Sequence, residues 1–361
     1  MSTTPTERQA RKQAEREAKL EALQQRLTSA VEGLVTGEDW RRALEFSAKF
    51  RSRSFRNTML IAAQHSEAYE QGRVPRPVPT YVAGFKQWLG LGRTVVKGQT
   101  GYQILAPRTA RFASTTPSVE ASWRRLATNE KAQAGETART RMVGVRIAYV
   151  WEISQTEGAP IPTLPRPAPL AGNAPDGLWD GLADQITARG FELRLVSNAD
   201  SLGGSDGLTD YLTRQVSIRT DMDDLNQVTA LSHELAHCIL HGPENPEASA
   251  DAMAHRGVRE AEAQGTSLMV LAAHGLDTTD FTVPYVSYWA TTVPGVAPVD
   301  VVQATAERVR KTALGILDGL ETAKVSDGAP PGLERPQSPP SNSADLTRPV
   351  TRVQPSEAIG L

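Results

Sequence analysis

The 361-residue chain predicts an α+β fold in two domains: a basic mixed helix/sheet N-terminal domain and a second domain built on an HExxH helix. Three observations predict it. Charge is split, with 25 Lys/Arg against 13 Asp/Glu in residues 1–150 and 14 against 28 in the remainder, although the formal net charge is only -2. Prolines at 160, 162, 165, 167, 169 and 175 make 158–175 a stiff linker between the halves. Segments of helical and strand period occur on both sides of that linker.

Taken in order, residues 1–36 read as a charged amphipathic helix, because Leu20, Leu23, Leu27, Val31 and Leu34 form one helical stripe. Residues 37–157 form the basic domain, with helices near 39–50 and 54–69, short strands at 93–96 and 102–106, and a longer strand at 143–153. The polar, Thr/Ala/Arg-rich stretch 108–141 is expected as a long loop or insertion with some helix. Past the linker, the second domain spans 176–321. It opens with a helix at 177–189 and a strand at 191–196. A turn at Gly203–Gly207 leads into a strand over 211–220, expected to pair with an extended peptide or simply to join a sheet. A helix over 299–321 closes it, and 322–361, rich in Pro, Ser, Asp and Gly, is expected to be disordered.

The second domain carries the chemistry. Residues 233–237 read His-Glu-Leu-Ala-His, and Asp223-Asp224 before the run and Gly242-Pro243 after it bound a helix without interior breakers. Four residues advance a helix by about one turn, so His233 and His237 share a face and both imidazoles can meet one metal, with Glu234 beside it. A carboxylate in that position takes a proton from water whose pKa a zinc ion lowers to about 7. The ordinary alternative is two core or surface histidines with an incidental Glu.

A third ligand is needed. Val258, Glu262, Gly265, Met269 and Ala272 share one face of the next helical stretch, and Glu262 is its only charged member. A carboxylate on an inward face is costly unless paired, which favours Glu262 as a metal ligand; the ordinary alternative is a structural Glu satisfied by another partner. Glu260, with Gln264 and Ser267, lies on the wetter side, about 200° around the helix, and is the weaker candidate. His241, His255 and His274 compete, with His241 better suited to a supporting hydrogen bond. Cys238, the single cysteine, lies on the packing face and reads as a buried thiol.

The first domain reads as a nucleic-acid surface. Residues 71–118 contain no acidic side chain but hold Arg73, Arg76, Lys86, Arg93, Lys97, Arg108 and Arg111. Interleaved among these and the preceding helices are Phe46, Phe50, Phe55, Tyr81, Phe85, Trp88 and Tyr102. Cations along a phosphate backbone with rings for unstacked bases are what single strands require, although each ring is equally a candidate for the core.

At these residues the chain resembles a known family. Segments 50–64 and 82–88, Gly92-Arg93, and 96–107 are similar to the N-terminal domain of the ArdC antirestriction proteins. The run 231–241, Glu262-Ala263, 275–278, Pro284-Tyr285-Val286 and Trp289 resemble their metallopeptidase-like domain, which is similar to the ImmA/IrrE zinc peptidases. The resemblance implies a zincin-like second domain, with Zn2+ on His233, His237 and Glu262 and with Glu234 as acid/base. It also implies single-stranded DNA binding, for which Arg51, Arg53, Arg56, Lys86, Trp88, Arg93 and Lys97 are the expected contacts. Tyr285 or Tyr288 is expected to assist an oxyanion.

The role so implied is antirestriction, or protection of mobile-element DNA, with single-stranded DNA as partner and a protein or peptide as possible substrate. Three alternatives stand beside it: a DNA-associated zinc protease cutting a regulatory protein, a non-catalytic coat for single strands with a vestigial metal site, and a peptidase without a nucleic-acid role. No apolar run of membrane-spanning length and no secretion signal is present, so the expected location is cytoplasmic.

Overall fold

The computed structural model describes residues 5–161, 173–242, 256–278, 290 and 295–333. It opens with α1 (Pro5–Glu32), whose apolar stripe buries Leu23, Leu27 and Val31. Helix α2 (Gly37–Lys49) starts at a capping box in which Thr36 and Asp39 satisfy each other's backbone N–H, and α3 (Phe55–Glu70) starts at Ser54. Next come β1 (Val82–Gly84), α4 (Phe85–Gly90), β2 (Arg93–Val95), β3 (Tyr102–Ser114), β4 (Arg124–Arg125), β5 (Thr137–Glu152) and β6 (Thr156–Gly158). One sheet has the order β1-β5-β3-β4, and β2 pairs separately with β6.

Stretch 108–141 is therefore not a loop in its outer parts. Strands β3 and β5 stay paired from Tyr102↔Val150 to Ser114↔Thr137, with one irregularity at Arg108/Thr109. Met142, Val143, Val145 and Arg146 are all exposed and β5 buries nothing before Val150, while the outer part of β3 buries only Ala110, Ala113 and Ser114, so no large apolar side chains mark the alternation by which a strand is recognised.

The second half contains α5 (Leu178–Thr187), β7 (Glu192–Val196), β8 (Gly207–Asp210), β9 (Gln215–Arg219), α6 (Asp224–His241), α7 (Arg256–Ala273) and α8 (Pro298–Asp318). Its sheet has the order β7-β9-β8, parallel on one side and antiparallel on the other. The strand expected over 211–220 is in fact a hairpin arm preceded by a turn. Asp210 Oδ1 accepts from the backbone N–H of Leu212 and Thr213, Arg214 takes φ 51°, and Leu212 is 97% exposed. Strand β9 is paired on both edges and has no free edge for a peptide; β7 and β8 are the edge strands, and β8 is the one packed against α6.

One apolar cluster runs through both halves. Leu44, Phe55 and Leu60 share it with Leu182, Val216, Leu231, Leu268, Val309 and Ile316. A Cβ on Gly265 of α7 would come within 2.9 Å of Leu44 Cδ1, so glycine permits the close approach of α2 and α7. After α8, residues 322–333, which the composition assigns to a disordered tail, are held along the molecule. Val325 N donates to Ala273 O, Arg51 donates to Val325 O and Ser326 O, and Val82 N donates to Gly328 O. Backbone bonding, invisible to composition, orders them. The linker core 162–172 and the remaining tail lie outside the described residues, as do Tyr285, Tyr288, Trp289 and His255. Among the described residues, no helix is long and apolar enough to cross a membrane.

Candidate metal centre and nucleic-acid surface

Helix α6 begins at Asp223, whose side chain caps Asn226 N, and runs unbroken to His241. One turn apart, His233 and His237 bring their Nε2 atoms to 3.0 Å. From α7, Glu260 places Oε2 3.5 Å from His233 Nε2 and Oε1 3.6 Å from His237 Nε2. Each of the three residues offers one ligand atom, all within 4.8 Å of one another. Bonds of about 2.1 Å in a tetrahedron require ligand–ligand separations of roughly 3.4 Å, so the donor set fits a divalent ion such as zinc.

The structure thus brings Glu260, rather than the expected Glu262, to the two imidazoles. Glu262 is buried, but its charge is already met: Arg308 Nε of α8 donates to Oε1 at 2.7 Å, and His241 Nε2 lies 3.0 Å from Oε2. The premise that a buried carboxylate needs a partner holds; the partner is a cation 46 residues away. The Glu260 side chain is 47% exposed, so this side of the cluster is open to solvent. Of the other candidate donors, His274 is engaged by Val270 O and Thr322 Oγ1.

Glu234 points into the sheet side of the cleft. Thr209 of β8 donates its hydroxyl to Glu234 Oε2 at 2.6 Å. Gly207, two residues earlier, leaves the space Glu234 occupies, since a Cβ there would lie 2.8 Å from both Glu234 Cγ and Oε1. Both residues fell within or beside a stretch read as a turn; Gly207 as the last of that Gly-rich run was the available signal. Burial raises the Glu234 carboxyl above its usual range, against the opposing pull of His233 and the Thr209 hydrogen bond. Burial pushes His237 down to about 4, opposed by its bond to Glu260, and so keeps the imidazole neutral, as a ligand requires. On His233 burial also disfavours charge, but Glu260 and Glu234 outweigh it and the net shift is upward. The hydrogen bonds to His233 and His237 hold Glu260 far below the usual carboxylate range. Tyr211 donates to His237 O at 3.3 Å and accepts from Arg259 at 3.1 Å, pinning the hairpin turn to α6. Burial pushes the Cys238 thiol up to about 12, which leaves it inert near neutrality.

The expected DNA contacts divide. Trp88 is 0% exposed with its indole N–H on Trp151 O, so it is core and offers no face to a base. Arg53 reaches Val82 O, and burial lowers its pKa; Arg51 is spent on the 325–326 backbone. Arg93 caps the β2–β6 pair through Thr156, Gly158 and Ala159 carbonyls. These arginines fold the domain. Arg56, Lys86 and Lys97 are exposed. Phe50, Phe55 and Tyr102 are buried, whereas Phe85 is 46% exposed and sits edge-on to Trp151 at 6.2 Å. Tyr149, 43% exposed, lies 6.4 Å from the same indole. Tyr149 and Trp151 are two apart on β5 and so share its face, a spacing that the sequence itself displays.

Residues 17–151 match the family model described as the N-terminal domain of anti-restriction factor ArdC. An uncharacterized protein of Bacillus anthracis is 23% identical over 319 residues, which cover 83% of this chain and 51% of that protein. The chain therefore spans about half the length of that relative. The crystal structure of the antirestriction ArdC protein from R388 plasmid, metal-free, aligns with a TM-score of 0.45 and 17% identity over 74% of this chain and 84% of that one. Its Mn(II)-bound structure aligns with a TM-score of 0.41, 17% identity, and coverage of 74% and 88%. Residues 17–151 of this chain are thus similar to the N-terminal domain of anti-restriction factor ArdC.

Proposed function

We propose that this protein is an antirestriction factor that holds single-stranded DNA on its ArdC N-terminal region and carries a zinc-dependent peptidase centre on α6 and α7. The observation that carries the peptidase reading is the convergence of His233, His237 and Glu260 beside a buried Glu234. Three protein donors with one half-exposed leave a coordination position open, as catalytic rather than structural zinc requires. An ion bound there would polarise a carbonyl and acidify water.

The chain's own residues do the rest. Glu234, raised by burial, accepts the proton of the attacking water and delivers it to the leaving amine. Thr209 holds the carboxylate in place. The edge strand β8, in contact with Glu234, is our candidate for pairing with an extended peptide. On the nucleic-acid side, Phe85, Tyr149 and Trp151 form an aromatic platform next to Lys86. The cations of the β3–β5 arm supply phosphate contacts: Arg108, Arg125, Lys131 and Arg146 are exposed, whereas Glu120, Glu130 and Glu136 are each paired with Arg139, Arg141 or Arg124.

The test is Glu234→Gln in the full chain, read for zinc stoichiometry, salt-dependent binding of an oligo-dT strand, and hydrolysis of a denatured protein substrate. We expect zinc and DNA binding to persist and hydrolysis to fall by about two orders of magnitude or more. Hydrolysis equal in the two proteins, or absent from both, rejects the peptidase reading. Absence of salt-dependent binding rejects the DNA reading.

A further inference from the structure

Three histidines, not two, lie one turn apart on α6, and the third is not in the donor set. His237 Nδ1 stands 2.9 Å from His241 Nδ1, His241 Nε2 stands 3.0 Å from Glu262 Oε2, and Glu262 Oε1 accepts from Arg308 Nε at 2.7 Å. Arg308 also donates to Thr305 Oγ1 at 3.1 Å, which fixes the guanidinium on α8. The middle of this chain is shielded from solvent, with the His241 and Glu262 side chains 3% and 6% exposed.

We propose that His241 and Glu262 are positioning residues that set the tautomer of His237 and aim its Nε2 lone pair at the metal. The assignment follows from donor counting. A guanidinium only donates, so Glu262 is held as an acceptor and takes the Nε2–H of His241. A neutral imidazole with Nε2–H has its lone pair on Nδ1, which receives Nδ1–H from His237. His237 is left with its free lone pair on Nε2, the atom facing His233 and Glu260. In the usual arrangement a carboxylate or carbonyl takes the ligand's N–H directly. Here an imidazole is interposed, and the anchor moves to an ion pair between α7 and α8. This also gives Glu262, displaced from the ligand set, a part in the same centre. The inference rests on the metal-centre reading above.

The experiment measures zinc affinity of the full chain by chelator competition, together with the 15N imidazole shifts of His237 in the metal-free protein. His241→Phe fills the same space without an acceptor. We expect a 10- to 100-fold weaker affinity and a shift of His237 toward the Nε2–H tautomer. His241→Gln, whose side-chain oxygen accepts from His237, should recover most of the loss. Glu262→Gln conserves volume and should weaken zinc binding in the same direction, a check that survives any folding defect of the Phe variant. His274→Gln, a change at a buried histidine outside this hydrogen-bonded series, should leave affinity unchanged. If His241→Phe and Glu262→Gln both bind zinc like wild type with an unshifted His237, the positioning role is overturned while the metal centre stands. If wild type binds no zinc, or Glu260→Gln binds it equally well, the metal-centre reading fails first.

Discussion

A single missing methyl group controls where Glu234, the proposed acid/base, sits. Gly207 has no Cβ, and one placed there would lie 2.8 Å from Glu234 Cγ and Oε1 and 3.0 Å from Ile218 Cδ1. Real Cβ atoms do not approach so closely, so Gly207→Ala must move the carboxylate, the strand or both. His233, His237 and Glu260 take no part in that clash. We expect the variant to keep wild-type zinc stoichiometry while hydrolysis falls about 100-fold, the cost of an ångström-scale misplacement. Unchanged turnover would show that Glu234 does not need the position it occupies. The same scale explains why the sequence favours Glu262 whereas Glu260 is the carboxylate that lies beside the imidazoles in space. Helical phase separates an inward from an outward carboxylate, but only coordinates reveal that Arg308 neutralises the inward one. An open centre draws its carboxylate from the wetter flank, which is where Glu260 was placed.

Elements were legible where they carried their own end signals. Helix α6 starts at Asp223 and ends before Gly242, and α2 starts at the Thr36–Asp39 capping box, all readable as residue types at fixed offsets. The β3–β5 arm is not legible beyond its base, because β5 is exposed there and β3 buries only Ala110, Ala113 and Ser114, which are too small or polar to set an apolar period. Its base nevertheless carries a testable distinction between core and surface aromatics. Tyr149→Ala should lower oligo-dT affinity by about 1–3 kcal/mol, roughly 5- to 150-fold, and barely change the melting temperature. Trp88→Ala should instead lose about 3–5 kcal/mol of stability, because its indole is fully buried and bonded to Trp151 O. The opposite pattern, read by fluorescence anisotropy and thermal melts, would return Trp88 to the binding face. At the end of α7, His274 donates to Val270 O and accepts from Thr322, and burial, with Lys324 and Arg51 nearby, pushes it down to about 4. A histidine depressed in the fold takes its proton more readily when unfolded. Its contribution is therefore complete above pH 6.5 and is lost as pH falls from 6.5 to about 4, by up to about 3 kcal/mol. His274→Gln should flatten that part of the stability curve in urea titrations; an unchanged slope relative to wild type would remove His274 as its source.

At the scale of the whole molecule, the proline-rich linker marks a change of charge, but the apolar core runs continuously past it. Leu44, Phe55, Met59 and Leu60 from the first half pack in the same cluster as Leu231, Leu268, Val309 and Ile316 from the second. Polar bonds cross the same junction. Phe55 N donates to Glu307 Oε2 at 3.1 Å, Thr278 donates to Glu45 at 2.6 Å, and Arg310 donates to Arg51 O at 3.2 Å. Separating the halves would expose several large apolar side chains at about 1.5–3 kcal/mol each and strand these buried partners. A stable N-terminal fragment would have to absorb both losses, which exceed the usual margin of a domain. Two chains, 1–165 and 166–361, made together should therefore co-purify as one complex that melts in a single transition, whereas 1–165 made alone should lack a cooperative melt. Were 1–165 to fold alone and elute as a monomer with full oligo-dT affinity, the shared core would be dispensable, and the DNA surface and the metal centre would be independent devices joined by a tether.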